Sequence, residues 1–120
     1  MAARILIVDD QPSMAGMTAL LVAMFGYEAV QCHHPQEAMA RLLAEPFDAL
    51  LTDYEMPTMT GLELVQRLRD EDCHVPVVMM SGRAALLDHF HAEQLGVLAI
   101  LSKPFGMDEL AEALRSALVA

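Results

Sequence analysis

Five short apolar runs punctuate the chain, each ending at a polar residue and each followed by a longer stretch with helical spacing. Ile5-Leu6-Ile7-Val8 stops at Asp9-Asp10, a second run spans about Tyr27 to Gln31, and Ala49-Leu50-Leu51-Thr52 stops at Asp53. Val75 to Met80 stops at Ser81, and Leu98 to Leu101 runs into Ser102-Lys103-Pro104. Uninterrupted apolar runs are what strands buried on both faces show, and the helical stretches between them are the crossovers that parallel neighbours need. The pattern predicts an α/β fold, a five-stranded parallel sheet with helices on both faces and right-handed crossovers. In such sheets the site lies outside the carboxyl ends of the strands, so the residues that follow each run carry the functional argument.

The helical stretches have their own punctuation. Met14, Met17, Leu20, Leu21 and Met24 recur at helical spacing up to Gly26, a residue suited to the position just past a helix end. Pro35 opens a second helix, marked by Ala38, Leu42 and Leu43, that ends near Pro46. Leu62, Val65 and Leu68 give a third its stripe, with Arg67 and Arg69 where the helix dipole favours cations. A fourth helix is expected from about Arg83 to Leu95, stopped by Gly96, and a fifth from about Met107 to Leu118, capped by Gly106 or Asp108.

Size and composition narrow the function. The 120 residues, 55% hydrophobic and 20% charged, exclude a disordered chain and point to one domain spanning residues 1–120. Seven basic against seventeen acidic residues, a net charge of −10, repel phosphate backbones and anionic lipid, so direct nucleic-acid and membrane binding are excluded. Cys32 and Cys73 fall outside any C-x-x-C spacing and read as reduced core thiols. The apolar run after Met-Ala-Ala-Arg is too short for a secretion signal or a spanning helix, which makes the cytoplasm the expected compartment. Ten methionines fit core filler better than a plastic partner surface.

The strand ends bring Asp9, Asp10, Asp53, Ser81 and Lys103 to one edge of the sheet. Taken singly, each has a plain role: Asp9-Asp10 as a helix cap, Asp53 and Lys103-Pro104 as loop residues, Ser81-Gly82 as a helix entry. Together, three carboxylates repel one another unless a hard divalent ion shares their oxygens, and Mg²⁺, which keeps waters and completes its shell with phosphate, suits them. A lysine and a serine opposite supply a charge and a hydrogen-bond donor for phosphoryl oxygens. His33, His34, His74, His89 and His91 read as surface residues, and no hydrolase triad, glycine-rich phosphate loop or zinc spacing is present.

Ile-Leu-Ile-Val-Asp9-Asp10, Asp53-Tyr-Glu-Met56-Pro57-x-Met59-x-Gly61, Ser81 after an apolar strand, and Lys103-Pro104-Phe105 together resemble the receiver domain of two-component response regulators, of the chemotaxis-regulator type, over essentially the whole chain. The resemblance implies the flavodoxin-like (βα)5 strand order 2-1-3-4-5. It also implies phosphoryl transfer from the phosphohistidine of a sensor histidine kinase, or of a histidine phosphotransfer protein, onto Asp53. Asp9, Asp10 and Asp53, with the backbone carbonyl of Glu55, match the Mg²⁺ ligands. Lys103 matches the phosphate-contacting lysine, and Ser81 the residue that reports phosphorylation. Such a domain is a regulator that catalyses only its own phosphorylation and dephosphorylation, and it acts through an output domain, a downstream protein or a homodimer.

The departures bear on output. Ile100 stands where receivers commonly carry a switching aromatic residue, so signalling is expected through the Ser81 to Arg83 loop, helix four and the strand-five surface. Thr60 stands where the motif often has an acidic residue, and Glu55 and Arg83 are placed to pair over the pocket. Leu86, Leu87 and Phe90 make a broader apolar surface than one core stripe needs, with packing on the sheet the expected role and a partner interface the alternative. Two other functions compete: a receiver-fold interaction module that works without phosphorylation, which Ile100 permits, and a flavin carrier or metal phosphohydrolase. A flavin phosphate after strand one would meet Asp9-Asp10 and be repelled.

Overall fold

The computed structural model describes residues 2–119. Strands β1 (Arg4–Val8), β2 (Glu28–Cys32), β3 (Ala49–Asp53), β4 (Val77–Ser81) and β5 (Val97–Ser102) alternate with helices α1 (Pro12–Met24), α2 (Pro35–Ala44), α3 (Gly61–Asp70), α4 (His89–Gln94) and α5 (Met107–Leu118). The strands form one parallel sheet in the order β2-β1-β3-β4-β5, the flavodoxin-like doubly wound arrangement. The register sets Val8 beside Thr52 and Asp53 beside Met80, which brings the ends of β1, β3 and β4 level.

The two-residue period of the strands divides the core. Leu6, Val8, Leu50, Val77 and Met79 face α2, α3 and α4, whereas Ile5, Ile7, Leu51, Val78 and Met80 face α1 and α5. Both faces being covered is why β3 and β4 are buried throughout and why their sequences do not alternate. Each fully buried leucine or isoleucine contributes about 1.5–3 kcal/mol relative to exposure. Cys32 is buried and Cys73 half-buried, both as free thiols, and burial pushes the Cys32 thiol up.

Three sequence expectations shift. The repeat Met14, Met17, Leu20 and Met24 lies on the outer face of α1, with Met17 64% exposed, while Ala15, Thr18, Ala19 and Val22 are buried. A helix that is apolar all round has no preferred face in the sequence, and packing close to the sheet selects its small side chains. The methionines accordingly divide: Met56, Met59, Met79 and Met80 fill the core, and those of α1 do not. Strand β4 starts at Val77 instead of Val75, which leaves Pro76 outside the ladder while its carbonyl still accepts from Leu50 N at 2.8 Å.

The fourth helix is not one element. A 3-10 turn, Ala84–Leu86, is followed by an extended Leu87 and then by the short α4. Asp88 is the cause: its side chain accepts from His91 N at 2.9 Å and caps α4 there. Leu87 is buried, whereas Leu86 and Phe90 are 81% and 71% exposed, so packing on the sheet holds for one of the three residues.

Candidate functional site

Asp9 and Asp10 stand at the end of β1. Neither caps α1, whose N-cap is Gln11 without a side-chain bond. Asp9 is buried; its Oδ1 accepts from Gln11 N at 3.0 Å and its Oδ2 is enclosed with no hydrogen-bond partner. Asp53, the last residue of β3, is also buried. One carboxylate oxygen from each of Asp9, Asp10 and Asp53 lies within 4.8 Å of the others.

Lys103 completes this half of the site. Its Nζ is 3.0 Å from Asp53 Oδ1 and 3.8 Å from Asp9 Oδ2. The shorter contact is an ion pair without hydrogen-bond alignment, and Asp53 Oδ1 has no directed donor. The Lys103 backbone is fixed by its N–H donating to Ser81 O at 2.8 Å, which ties the end of β5 to that of β4. Burial pushes the Asp53 carboxyl up to about 6; Lys103 opposes this, and the charges of Asp9 and Glu55 add to it.

The loop after Asp53 is held by close approach. A Cβ on Gly61 would sit 2.6 Å from Asp53 O, and Gly61 N donates to Tyr54 O at 2.9 Å, so only glycine lets α3 begin this near the end of β3. Thr60, the departure from the motif, caps α3: its hydroxyl accepts from Glu63 N at 3.1 Å, and Glu63 Oε1 accepts from Thr60 N at 3.2 Å. The spacing Thr-x-x-Glu was the legible signal for this box.

Across the mouth, Ser81 is fully buried. Its hydroxyl donates to Glu55 Oε2 at 2.7 Å and accepts from Arg83 N at 2.9 Å, while Glu55 Oε1 accepts from Gly82 N at 3.0 Å. The expected pairing of Glu55 with Arg83 is not formed: among the described residues the Glu55 carboxylate is held by the Ser81–Gly82 turn. Sequence reasoning missed this use of Glu55, since no local pattern marks a contact between two loops. Ile100 is half-buried against the core cluster that contains Leu87 and Ala92. Four of the histidines are exposed; His33 is half-buried with Nε2 enclosed and unpartnered.

Residues 5–115 match the response regulator receiver domain model. The chain belongs to this family. It is 30% identical over 96% of its length to the transcriptional regulatory protein TrcR of Mycobacterium tuberculosis, covering 45% of that protein. It is also 30% identical to the phosphate regulon transcriptional regulatory protein PhoB of Pseudomonas aeruginosa, over 95% of this chain and 51% of that one. The receiver domain thus spans about half the length of these regulators. A CheY-like receiver domain protein of Methanospirillum hungatei superposes with a TM-score of 0.90 at 28% identity, over 99% of this chain and 95% of the other. Receiver domains of this family are the phosphoacceptor signalling parts of two-component systems, and the arrangement around Asp53 is to be understood in that setting.

Proposed function

We propose that Asp53 accepts a phosphoryl group from the phosphohistidine of a sensor histidine kinase or histidine phosphotransfer protein. The observation that supports this most directly is Lys103 Nζ 3.0 Å from a buried Asp53 that shares its surroundings with Asp9 and Asp10. An Asp53 oxygen attacks phosphorus as the P–N bond of the donor breaks, and the electron pair of that bond returns to the imidazole. The transition state is loose, so alignment and charge neutralisation are the main demands on the protein. With its carboxyl pushed up to about 6, Asp53 is still mainly ionised at pH 7 and available as nucleophile. Lys103 follows the negative charge onto the phosphoryl oxygens. Ser81 donates its hydroxyl to one of them once released from Glu55.

Mg²⁺ suits this site on the chemistry of its donors: Asp9 Oδ2 is a buried carboxylate oxygen with no hydrogen-bond partner, and the other two carboxylates are within reach of the same point. Asp9, Asp10, Asp53 and the backbone carbonyl of Glu55 would hold it. When bound it neutralises the carboxylates and lowers the charge on the phosphoryl oxygens.

Residues 1–120 so read form one receiver domain, a regulator that catalyses only its own modification. No helix among the described residues is long and apolar enough to cross a membrane. Membership of the receiver family supports placing the chain in the cytoplasm with a histidine kinase as its phosphodonor. Output passes through the α4–β5 side, where Leu86 and Phe90 are exposed, to an output domain, a downstream protein or a second copy. The competing reading, partner binding without phosphorylation, is one that Ile100 in place of an aromatic switch permits. Intact mass after incubation with Mg²⁺ and a small phosphodonor separates them: one added phosphoryl group, lost in Asp53→Asn, is expected. No modification of wild type, or label persisting in Asp53→Asn, overturns the assignment.

A further inference from the structure

The Glu55 carboxylate bridges two donors, the Ser81 hydroxyl at 2.7 Å and the Gly82 amide at 3.0 Å, at the rim of the pocket that holds Asp53. Two oxygens of one anion on two adjacent donors is how a phosphoryl group would also be held. Ser81 has a single hydroxyl proton, and its lone pairs already accept from Arg83 N at 2.9 Å, so this hydroxyl cannot donate to Glu55 and to a second anion together. The geometry points to Glu55 as an internal latch: in the unmodified domain its side chain occupies the donors that an anion on Asp53 recruits, and it must leave them when that anion arrives.

The latch places a positioning residue between modification and output. Gly82 follows β4 directly, and Arg83 borders the 3-10 turn Ala84–Leu86, so release of Glu55 frees the start of the whole β4–α4 connection. Ser81 then turns toward Asp53 while the Gly82 amide loses its carboxylate. The opposing bias is set by this chain's own glutamate, not by the donor kinase, so occupancy of the active arrangement depends on how strongly the anion outcompetes Glu55.

This inference rests on Asp53 as the anion-bearing residue, and its test keeps the two apart. Beryllofluoride, a phosphoryl-shaped anion that binds a carboxylate, is titrated into Mg²⁺-saturated wild type, Glu55→Ala and Glu55→Gln while backbone amide resonances are followed. Both substitutions leave the Glu55 carbonyl in place. Freeing one charge-assisted donor should tighten beryllofluoride binding roughly tenfold in Glu55→Ala, with Glu55→Gln, which keeps an acceptor without the charge, in between. Before any anion is added, the Gly82 amide of Glu55→Ala should already have left its wild-type position, a change that overall stability alone would not produce. An unchanged beryllofluoride constant with binding retained, or an unmoved Gly82 amide, overturns the latch alone. Absence of binding in wild type and both variants overturns the phosphoacceptor reading, and the latch with it.

Discussion

The two sides of the pocket are built differently. On one side Asp9, Asp53 and Lys103 sit at the ends of β1, β3 and β5, buried or half-buried and tied to neighbouring strands through backbone hydrogen bonds. Their charges are in place, and two carboxylate oxygens still lack directed partners. On the other side Ser81 and Gly82 are satisfied by Glu55, and the segment beyond is a 3-10 turn, an extended residue and a six-residue helix. The first side has unmet electrostatic demand at the ends of sheet strands; the second has met demand in a run of short elements, a three-residue turn and a six-residue helix, whose residues are largely exposed. On the proposed function, chemistry belongs to the strand ends, and conformational response to the β4–α4 connection.

Removing the charge of the strand-end side should have the largest effect. Lys103→Ala takes away the cation 3.0 Å from Asp53, and phosphorylation from a small donor should slow by roughly 10²-fold, the usual scale for one preorganised electrostatic group. Stopped-time mass spectrometry checks this, and a rate within threefold of wild type (about 0.7 kcal/mol) would place catalysis elsewhere.

The same side should control pH dependence without metal. The folded state holds the Asp53 proton more tightly than the unfolded chain, with the carboxyl pushed up to about 6 from 3.8. Its contribution to stability is therefore full below pH ~4 and is lost as pH rises through about 6, an effect of up to about 3 kcal/mol. Chemical denaturation of metal-free wild type and Asp53→Asn between pH 4 and 7 isolates it: wild type should lose stability relative to the variant as pH rises. Parallel curves would mean that Asp53 titrates normally.

Metal should act in the opposite sense at neutral pH. At ten times its dissociation constant Mg²⁺ should stabilise the fold by about 1.4 kcal/mol. Asp10→Ala should remove most of that response and raise the metal-free midpoint by relieving repulsion among the three carboxylates. Thermal unfolding with and without Mg²⁺ reads both, and a fall in the metal-free midpoint would show Asp10 serving the fold instead of the ion.

The contrast also explains what could be read in the sequence. The strand ends were legible because both-face burial forces continuous apolar runs, and the polar residue that stops each run has one place to go. The outward face of α1 was not, since Met17 and Leu20 look like core until the sheet chooses Ala15, Ala19 and Val22. The break in the fourth helix was hidden because Asp88 satisfies the same spacing rules inside a helix as at a cap, and only its bond to His91 N decides. Glu55 on Ser81 was beyond reach for a simpler reason: the two residues are 26 positions apart and meet by the register of β3 on β4.

The smallest effect should come from the surface of the responsive side. Leu86 and Phe90 are mostly in water, whereas Leu87 between them is buried. Leu86→Ala and Phe90→Ala should change unfolding free energy by no more than about 0.5 kcal/mol, the range of surface substitutions. Leu87→Ala serves as the internal control, since a buried leucine costs about 2–5 kcal/mol when truncated. On saturation with Mg²⁺ and beryllofluoride, amide shifts in wild type should concentrate from Ser81 to Phe90, because Ile100, half-buried against the core cluster that includes Leu87, offers no ring to carry motion along β5. In Leu86→Ala and Phe90→Ala those shifts should persist while binding of the output partner weakens. Shifts confined to Asp9, Asp53 and Lys103, or centred on α1 and α2, would instead make the whole pocket stiff and leave output without a moving part.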